Sequence, residues 1–280
     1  MMSQKIDRVS DNLDLNIREI LGIPIFGGAK REVLSRAVEV LGSKDNKVRL
    51  FTTLNPEHVM AAIKDPKYME LLRKSHLNII DGIALVWAGE VLNKEGVVSR
   101  LVEGLRVGMG VLRGRYVDRV VPGSSLMEDL VKMAESKGSR VYLLGGWEDR
   151  AEKTAKYFEA KYKKLKIRYC LGRPKYKNEE VLKKIAEFRP DILLVAYGMK
   201  SQEMWIGENS EKLGKSGVKL AMGVGRSFDY YSGDLKRAPV GWRRMGLEWL
   251  YSLIREPKRL RRQLEIPKFL WRVVCYDVLD

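Results

Sequence analysis

The chain has 280 residues, 45% of them hydrophobic, which suits one large domain or one domain with an appendage. Lys and Arg total 52 against 36 Asp and Glu, so the formal charge is +16 and an anionic partner is expected: nucleic acid, anionic lipid or a phosphorylated substrate. Two cysteines do not make a disulfide framework, and the polar start lacks the apolar core of a signal peptide, so a reducing, cytoplasmic compartment is expected.

Regular secondary structure is predicted from Val48 onward, whereas the polar residues 1–20 are predicted to be frayed. Apolar runs of strand length alternate with segments of helical pattern. The predicted strands are 48–55, 77–81, 140–146, 167–172, 191–198 and 218–225. Helices are expected to begin at Pro56, after Asp81, and at Ser125, which has a capping-box glutamate three residues on. The alternation predicts an α/β fold with a mostly parallel sheet and helices on its faces.

Polar and glycine residues end most of these strands. A sheet of this kind binds its ligands in the crevice beyond the carboxyl ends of its strands. The first candidates for a binding site are therefore Thr52, Thr53, Asn55, Asp81, Gly82, Gly145, Gly146, Gly198, Gly223 and Gly225.

A stretch rich in Gly, Val and Arg, residues 96–119, interrupts the rhythm. Leu101, Leu105, Met109 and Leu112 are spaced roughly like one face of a helix. Two interpretations stay open: a loosely helical insertion packed on the body, or a mobile basic lid over the site.

The C-terminal segment 236–280 is predicted to be a basic amphipathic appendage to a body formed by 1–235. Between Lys236 and Arg272, eleven Lys and Arg stand against three Glu, a balance of +8. Apolar residues from Trp242 to Ile254 recur at helical spacing, and Pro257 marks a helix boundary. No apolar run reaches the ~18–20 residues of a membrane-spanning helix, so contact with a membrane would be peripheral.

Two partners compete for this segment's charge, with docking on the body as a third interpretation. Each basic residue near an anionic bilayer contributes about 1 kcal/mol, so eight net charges favour a membrane surface. Nucleic acid is not favoured, because the sequence has no zinc-finger spacing and no RNP-like aromatic motif. The two histidines are too isolated to indicate a metal site.

Five motifs in fixed order carry a resemblance to a known family. They are TLNPEHV (53–59), the Asp81–Gly82 pair, SQEMW (201–205), GVGRSFDYYSGDLKRAP (223–239) and EWLYSLIREPKRLRR (248–262). Together they resemble the WecG/TagA/CpsF family of bacterial glycosyltransferases over about residues 20–265. The last two motifs are the most specific.

The resemblance implies a Rossmann-like fold and a glycosyl transfer. Family members move an N-acetylmannosamine-type sugar from a UDP donor to undecaprenyl-diphosphate-linked N-acetylglucosamine, with inversion and without a metal or other cofactor. The absence of a D-x-D motif in this sequence agrees with metal-free chemistry. The expected setting is the inner face of the cell membrane, in the synthesis of teichoic acid or a surface polysaccharide.

The resemblance also assigns residues. Asp81 matches the family's proposed general base, which would take the proton of the acceptor hydroxyl; as an isolated strand-end aspartate it could equally cap the next helix. Thr53, Asn55, Gln202 and Glu203 match positions that bind sugar or phosphate oxygens, although Asn55 could be a helix cap and Glu203 a water-facing residue. The arginines expected to compensate diphosphate charge are Arg119, Arg237, Arg259 and Arg262.

Departures from the family pattern, at Lys200–Ser201 and at Gly172, motivate an alternative. In that alternative the chain is a non-catalytic nucleotide- or lipid-binding module of a membrane-associated assembly. The sequence leaves open both the identity of the transferred sugar and whether the chain self-associates.

Overall fold

The computed structural model describes residues 16–171, 178–245, 247–257 and 260–279. Its centre is an eight-stranded sheet in the order β1-β2-β4-β3-β8-β7-β5-β6, parallel throughout except for the antiparallel β1–β2 pair. The strands are β1 Ile17–Ile20, β2 Ile23–Phe26, β3 Arg49–Leu54, β4 Leu77–Ile80, β5 Arg140–Gly145, β6 Lys166–Cys170, β7 Ile192–Ala196 and β8 Leu220–Gly223. The predicted α/β, Rossmann-like class is confirmed.

Sixteen α-helices in the described residues surround or extend this sheet. The first ten are α1 Lys30–Gly42, α2 Pro56–Ile63, α3 Pro66–Lys74, α4 Ile83–Val91, α5 Val97–Leu112, α6 Gly123–Lys137, α7 Arg150–Lys161, α8 Asn178–Phe188, α9 Ser201–Glu208 and α10 Ser210–Lys215. The remaining six are α11 Ser227–Tyr231, α12 Val240–Arg244, α13 Glu248–Arg255, α14 Leu260–Gln263, α15 Glu265–Val274 and α16 Tyr276–Leu279.

The core has a layer on each side of the sheet. Because side chains alternate along a strand, Leu143 faces a layer built with α1, α6 and α7, whereas Leu144 faces one built with α8, α9 and α10. At the β1–β4 end, α2, α3 and α4 cover the sheet. No described helix is long and apolar enough to cross a membrane.

The N-terminal prediction was wrong for residues 17–20, which form β1 instead of a frayed end. The strand is short and its first residue, Ile17, is exposed, so it carries no buried apolar run. Its four residues pair in antiparallel register with β2, and this pairing, which is not local to the strand's own sequence, defines it.

The start predicted for α6 was also wrong. The helix begins at Gly123 after Pro122, so Ser125 lies inside its first turn and does not cap it. Proline fixes a φ angle that suits the entry to a helix, and this local constraint sets the boundary.

The C-terminal segment docks on the body through α15. Phe269 and Val273 are fully buried in the core between α2 and α4. The apolar face predicted from Trp242 to Ile254 is divided between α12 and α13, while the boundary before Pro257 is confirmed by the end of α13 at Arg255. The division into a body and an appendage stays a prediction.

Helix α5 occupies most of the unusual stretch 96–119. It packs on α4 with Gly104 against Trp87, and its buried side also includes Val107 and Gly110. The face containing Leu101 and Leu105 points into solvent, so the expectation that an apolar face of this stretch packs on the body is wrong for that face.

Candidate active site

A cavity of about 990 Å³ lies beyond the carboxyl ends of β3, β4, β5, β7 and β8. Eight of the ten strand-end candidates line it: Thr53, Asn55, Asp81, Gly82, Gly146, Gly198, Gly223 and Gly225. Thr52 does not, because it is fully buried and its hydroxyl donates to Asn78 Oδ1. The general rule for parallel sheets therefore located the cavity from sequence.

The last helices of the chain complete the cavity wall. Helices α12, α13 and α14 contribute Val240, Arg243, Glu248, Ser252, Arg262 and Gln263. The cavity is thus built jointly by the sheet and by the C-terminal segment.

Asp81 lies directly after β4, and its backbone N–H donates to Leu54 O over 2.8 Å. Its Oδ1 accepts a 2.9 Å hydrogen bond from Gly123 N, at the first residue of α6. Helix α4 begins after Gly82 with no side-chain cap, so the interpretation of Asp81 as the cap of the following helix was wrong. The carboxylate therefore lies at the cavity wall and is hydrogen-bonded to the start of α6, not to the start of α4.

Burial raises the pKa of Asp81 to about 7. The nearby Glu248 carboxylate acts in the same direction, while the Gly123 amide and the Arg237 guanidinium oppose it. A carboxylate with this pKa is poised to accept a proton near neutral pH.

Thr53 and Asn55 lie on either side of the β3 terminus. A Cβ at residue 123 would come within 2.8 Å of Thr53 Oγ1, so Gly123 allows the start of α6 to approach this hydroxyl. Asn55 caps α2, because its Oδ1 accepts from Glu57 N at 3.0 Å and from His58 N at 3.3 Å. Asn55 therefore has both expected roles: it is a cap and it lines the cavity, where its Nδ2 group is what it can offer to a ligand.

Gln202 and Glu203 differ from expectation. Gln202 touches the cavity but is buried, and its amide is engaged at both ends: Nε2 donates to Glu203 Oε1 at 2.7 Å and Oε1 accepts from Gly225 N at 3.1 Å. Glu203 is only 1% exposed and is not among the cavity-lining residues, so it neither faces water nor reaches a ligand directly. Both side chains support the wall of the cavity.

A buried polar network extends inward from this wall and includes His58, a cavity-lining residue that the sequence did not single out. His58 Nδ1 lies 2.9 Å from Asn55 Oδ1, and His58 Nε2 lies 3.9 Å from Glu203 Oε1. Tyr68 donates to Glu203 Oε2 at 3.5 Å. The available signal was the Asn55–His58 spacing, three residues apart across a helix start, which is the spacing of a capping box.

Burial sets the protonation of this network. It lowers the pKa of His58 to about 3, so the ring is neutral, and raises the pKa of Glu203 to about 7. His58 Nδ1 lies 2.9 Å from Asn55 Oδ1, to which it can donate, and 3.4 Å from Asn55 N, from which it can accept, so its role is set by the tautomer of the neutral ring.

The arginines divide into two groups. Arg237 and Arg262 line the cavity, held by Glu248 at 3.2 Å and by Glu57 at 2.6 Å. Arg119 is outside the cavity lining: it pairs with Glu90 at 2.6 Å and lies over the Tyr116 ring, so its expected contact with a diphosphate is not supported. Arg259, like Gly172, lies outside the described residues.

Three further cavity arginines were not predicted: Arg150, Arg226 and Arg243. Arg226 Nη1 and Arg243 Nε are buried and have no hydrogen-bond partner among the described residues. Unpaired buried donors are costly, so they mark places where an anionic ligand would be stabilised. Arg226 follows Gly225 at the end of β8, and that strand-end position was the available signal.

Comparison with known proteins places this cavity in context. The model of the glycosyl transferase WecG/TagA/CpsF family matches residues 18–107 and 101–279. Two relatives are named N-acetylglucosaminyldiphosphoundecaprenol N-acetyl-beta-D-mannosaminyltransferase. The Bacillus subtilis (strain 168) protein is 32% identical over 82% of this chain and 81% of its own length, and that of Staphylococcus aureus (strain MRSA252) is 26% identical over 91% of each.

The match covers both the strand-end cavity and the C-terminal helices that complete it. It confirms the resemblance carried by the five motifs, and it favours a catalyst over the alternative of a non-catalytic binding module. The chain belongs to the WecG/TagA/CpsF family and is a glycosyltransferase.

Proposed function

We propose that the chain transfers an N-acetylmannosamine-type sugar from a UDP donor to undecaprenyl-diphosphate-linked N-acetylglucosamine, with inversion and without a metal ion. The names of the relatives support the sugar and the acceptor. The proposed setting is the inner face of the cell membrane, in the synthesis of teichoic acid or a surface polysaccharide.

The observation that carries the chemistry is Asp81, a carboxylate with a raised pKa at the wall of the strand-end cavity. In the proposed step the acceptor hydroxyl attacks the anomeric carbon from the side opposite the UDP group. Asp81 takes the hydroxyl proton as the new bond forms, and the bond between the anomeric carbon and the diphosphate oxygen breaks. A single displacement of this kind inverts the anomeric centre.

Arginines are proposed to take the role of a metal in compensating the leaving diphosphate. The unpaired donors of Arg226 and Arg243 lie in the cavity wall, with Arg237 and Arg262 as further donors. Arg237 and Arg262 are held by carboxylates, and so are the other nitrogens of Arg226, which pair with Asp229 and Glu256; a diphosphate would share or exchange those partners. No group of three or more His, Cys, Asp or Glu in the described part of the chain is arranged to hold a metal.

The C-terminal segment 236–280 is proposed to bring the enzyme to an anionic membrane surface. Its charge supports this role, and its contribution to the cavity wall would couple the same segment to the reaction. Docking of α15 on the body is compatible with both, since Lys268 remains exposed.

The direct test is transfer by the purified chain from UDP-N-acetylmannosamine to a lipid-linked N-acetylglucosamine analogue, in the presence of a chelator. We expect turnover with an inverted product anomer, and a loss of about 10²–10⁴-fold for Asp81→Asn. Asp118→Asn, an exposed aspartate outside the cavity, is the matched control and should retain activity. Strict dependence on an added divalent ion would contradict the metal-free proposal, and near-full activity of Asp81→Asn would contradict the role of the base.

A further inference from the structure

Helix α5 exposes six large apolar side chains along one face. They are Val98, Leu101, Val102, Leu105, Met109 and Leu112, each 46–75% exposed. Their spacing of three and four residues places them along one side of the helix. This set is called the α5 apolar face below.

The orientation of α5 is fixed by its opposite side, so the apolar face cannot turn inward. Trp87 Nε1 on α4 donates to Gly104 O at 2.8 Å, and a Cβ at residue 104 would come within 2.7 Å of the Trp87 ring. Arg100, also on the inner side, is buried and pairs with Asp277 of α16 at 2.9 Å. The apolar face is therefore a built surface feature.

We infer that the α5 apolar face inserts into the headgroup boundary of an anionic bilayer and is a second membrane contact beside the C-terminal segment. This inference rests on the proposed function, because the acceptor in that proposal is anchored in a bilayer by its polyprenyl chain. An exposed apolar helix face accompanied by basic residues is typical of interfacial binding.

Charge favours a bilayer over a second copy of the chain as the occupant. Between Val97 and Arg115 the only acidic residue is Glu103, which is buried and paired with Arg106. Arg106, Arg113 and Arg115 are exposed. Two copies packed face to face would bring these like charges together, whereas anionic headgroups complement them.

The helices beside α5 also carry exposed apolar residues, and the chain that follows α5 reaches the cavity. Helices α15 and α16 pack beside it and contribute Trp271 and Val278, which are 61% and 71% exposed. Tryptophan is enriched at membrane interfaces. The chain that follows α5 lines the cavity with Val117 and Val120, so insertion of α5 would hold the cavity near the membrane surface from which a lipid-linked diphosphate emerges.

The test compares vesicle binding of two triple variants of the full chain. The first variant, Leu101→Ser/Leu105→Ser/Met109→Ser, replaces three residues of the α5 apolar face. The control variant, Val38→Ser/Tyr169→Ser/Leu171→Ser, replaces three exposed apolar residues elsewhere: one on α1, one on β6 and one directly after β6. With phosphatidylcholine vesicles containing phosphatidylglycerol, we expect the first variant to bind at least about tenfold more weakly and the control to bind like wild type. Circular dichroism checks the fold, and a single Leu105→Glu variant repeats the measurement.

Activity and mass measurements separate the inference from the proposed function. The α5 variant should keep transfer to a water-soluble acceptor with a short chain and lose transfer to a long-chain acceptor in vesicles. If the α5 variants bind vesicles as well as wild type does, the inference is wrong. If, in addition, analytical sedimentation shows that wild type is a dimer and the α5 variant a monomer, the face is an interface between two copies of the chain. Absence of transfer by wild type to either acceptor would refute the proposed function, while vesicle binding still decides the inference.

Discussion

The ionised side chain of Asp81, the proposed base, is costly to the stability of the fold. Its pKa lies near 7, above the ordinary value of 3.8, because its charge is desolvated in the cavity wall. The stability that the neutral form contributes is therefore present below pH 3.8 and is lost as the pH rises through about 7. The charged form, which the proposed mechanism requires, is the destabilising one.

Replacing Asp81 by Asn should consequently stabilise the protein at alkaline pH. We expect Asp81→Asn to raise the free energy of unfolding by about 2–4 kcal/mol at about pH 8.5, and by much less at about pH 5, where Asp81 is itself neutral. Urea denaturation at the two pH values measures this difference. The pKa of Glu203 is also raised, but Glu203 is present in both proteins, so its contribution to the pH dependence of stability cancels in the comparison. An equal difference at both pH values would contradict the raised pKa.

His58 is expected to act as a positioning residue through Asn55. His58→Ala removes the hydrogen bond between Nδ1 and Asn55, and we expect a loss of about 1–3 kcal/mol in unfolding free energy together with a lower kcat/KM. His58→Asn supplies an amide, which can donate or accept, on a shorter side chain and should recover part of both quantities. Equal behaviour of the Ala and Asn variants would show that the hydrogen bond does not matter and that only packing does.

At the scale of elements, sequence patterns located the buried parallel strands well. β3 to β8 lie within one or two residues of their predicted bounds. For β3, β4, β5, β7 and β8 the reason is that a strand covered on both faces is a continuous apolar run, whereas β6 is a largely exposed edge strand. The exposed β1 and the split between α12 and α13 have no such local signature. The burial of Gln202 and Glu203 was not predictable either, because α9 buries polar and apolar positions side by side against β3, β8 and α3.

The exposed Lys and Arg side chains of the C-terminal segment are expected to attract the protein to an anionic membrane. They are not expected to contribute to the stability of the fold. Lys236→Gln/Arg255→Gln/Lys268→Gln changes exposed residues outside the cavity lining, and we expect vesicle affinity to fall about 10–100-fold at low salt. The matched control Lys156→Gln/Lys184→Gln/Lys215→Gln removes the same charge from α7, α8 and α10. Co-sedimentation with vesicles measures the affinity of both variants. If both lose the same affinity, only the net charge of the protein matters, and the proposal that the C-terminal segment is a dedicated membrane contact is contradicted.

Across the whole molecule, the strand-end rule and the family motifs together predicted where the candidate cavity lies, but not all of the residues that line it. Asp81, Thr53 and Asn55 were predictable because they end strands whose positions the sequence defines. The proposed contribution of Arg226 and Arg243 depends on which buried donors lack partners, and the position of Arg119 outside the cavity lining depends on its pairing with Glu90. Both features depend on packing between distant segments. The exposed direction of α5 was likewise fixed by Trp87 and Arg100 on its inner side.

The central claim is that Asp81 acts as the base of a glycosyl transfer in this cavity. The most direct measurement is kcat/KM for transfer to the lipid-linked acceptor as a function of pH, for wild type and Asp81→Asn with chelator present. We expect the wild-type value to rise with pH through a single ionisation near 7, as Asp81 loses its proton, and the variant to lack this limb. A wild-type profile that is flat through neutral pH, or a variant that keeps the limb, would contradict the assignment.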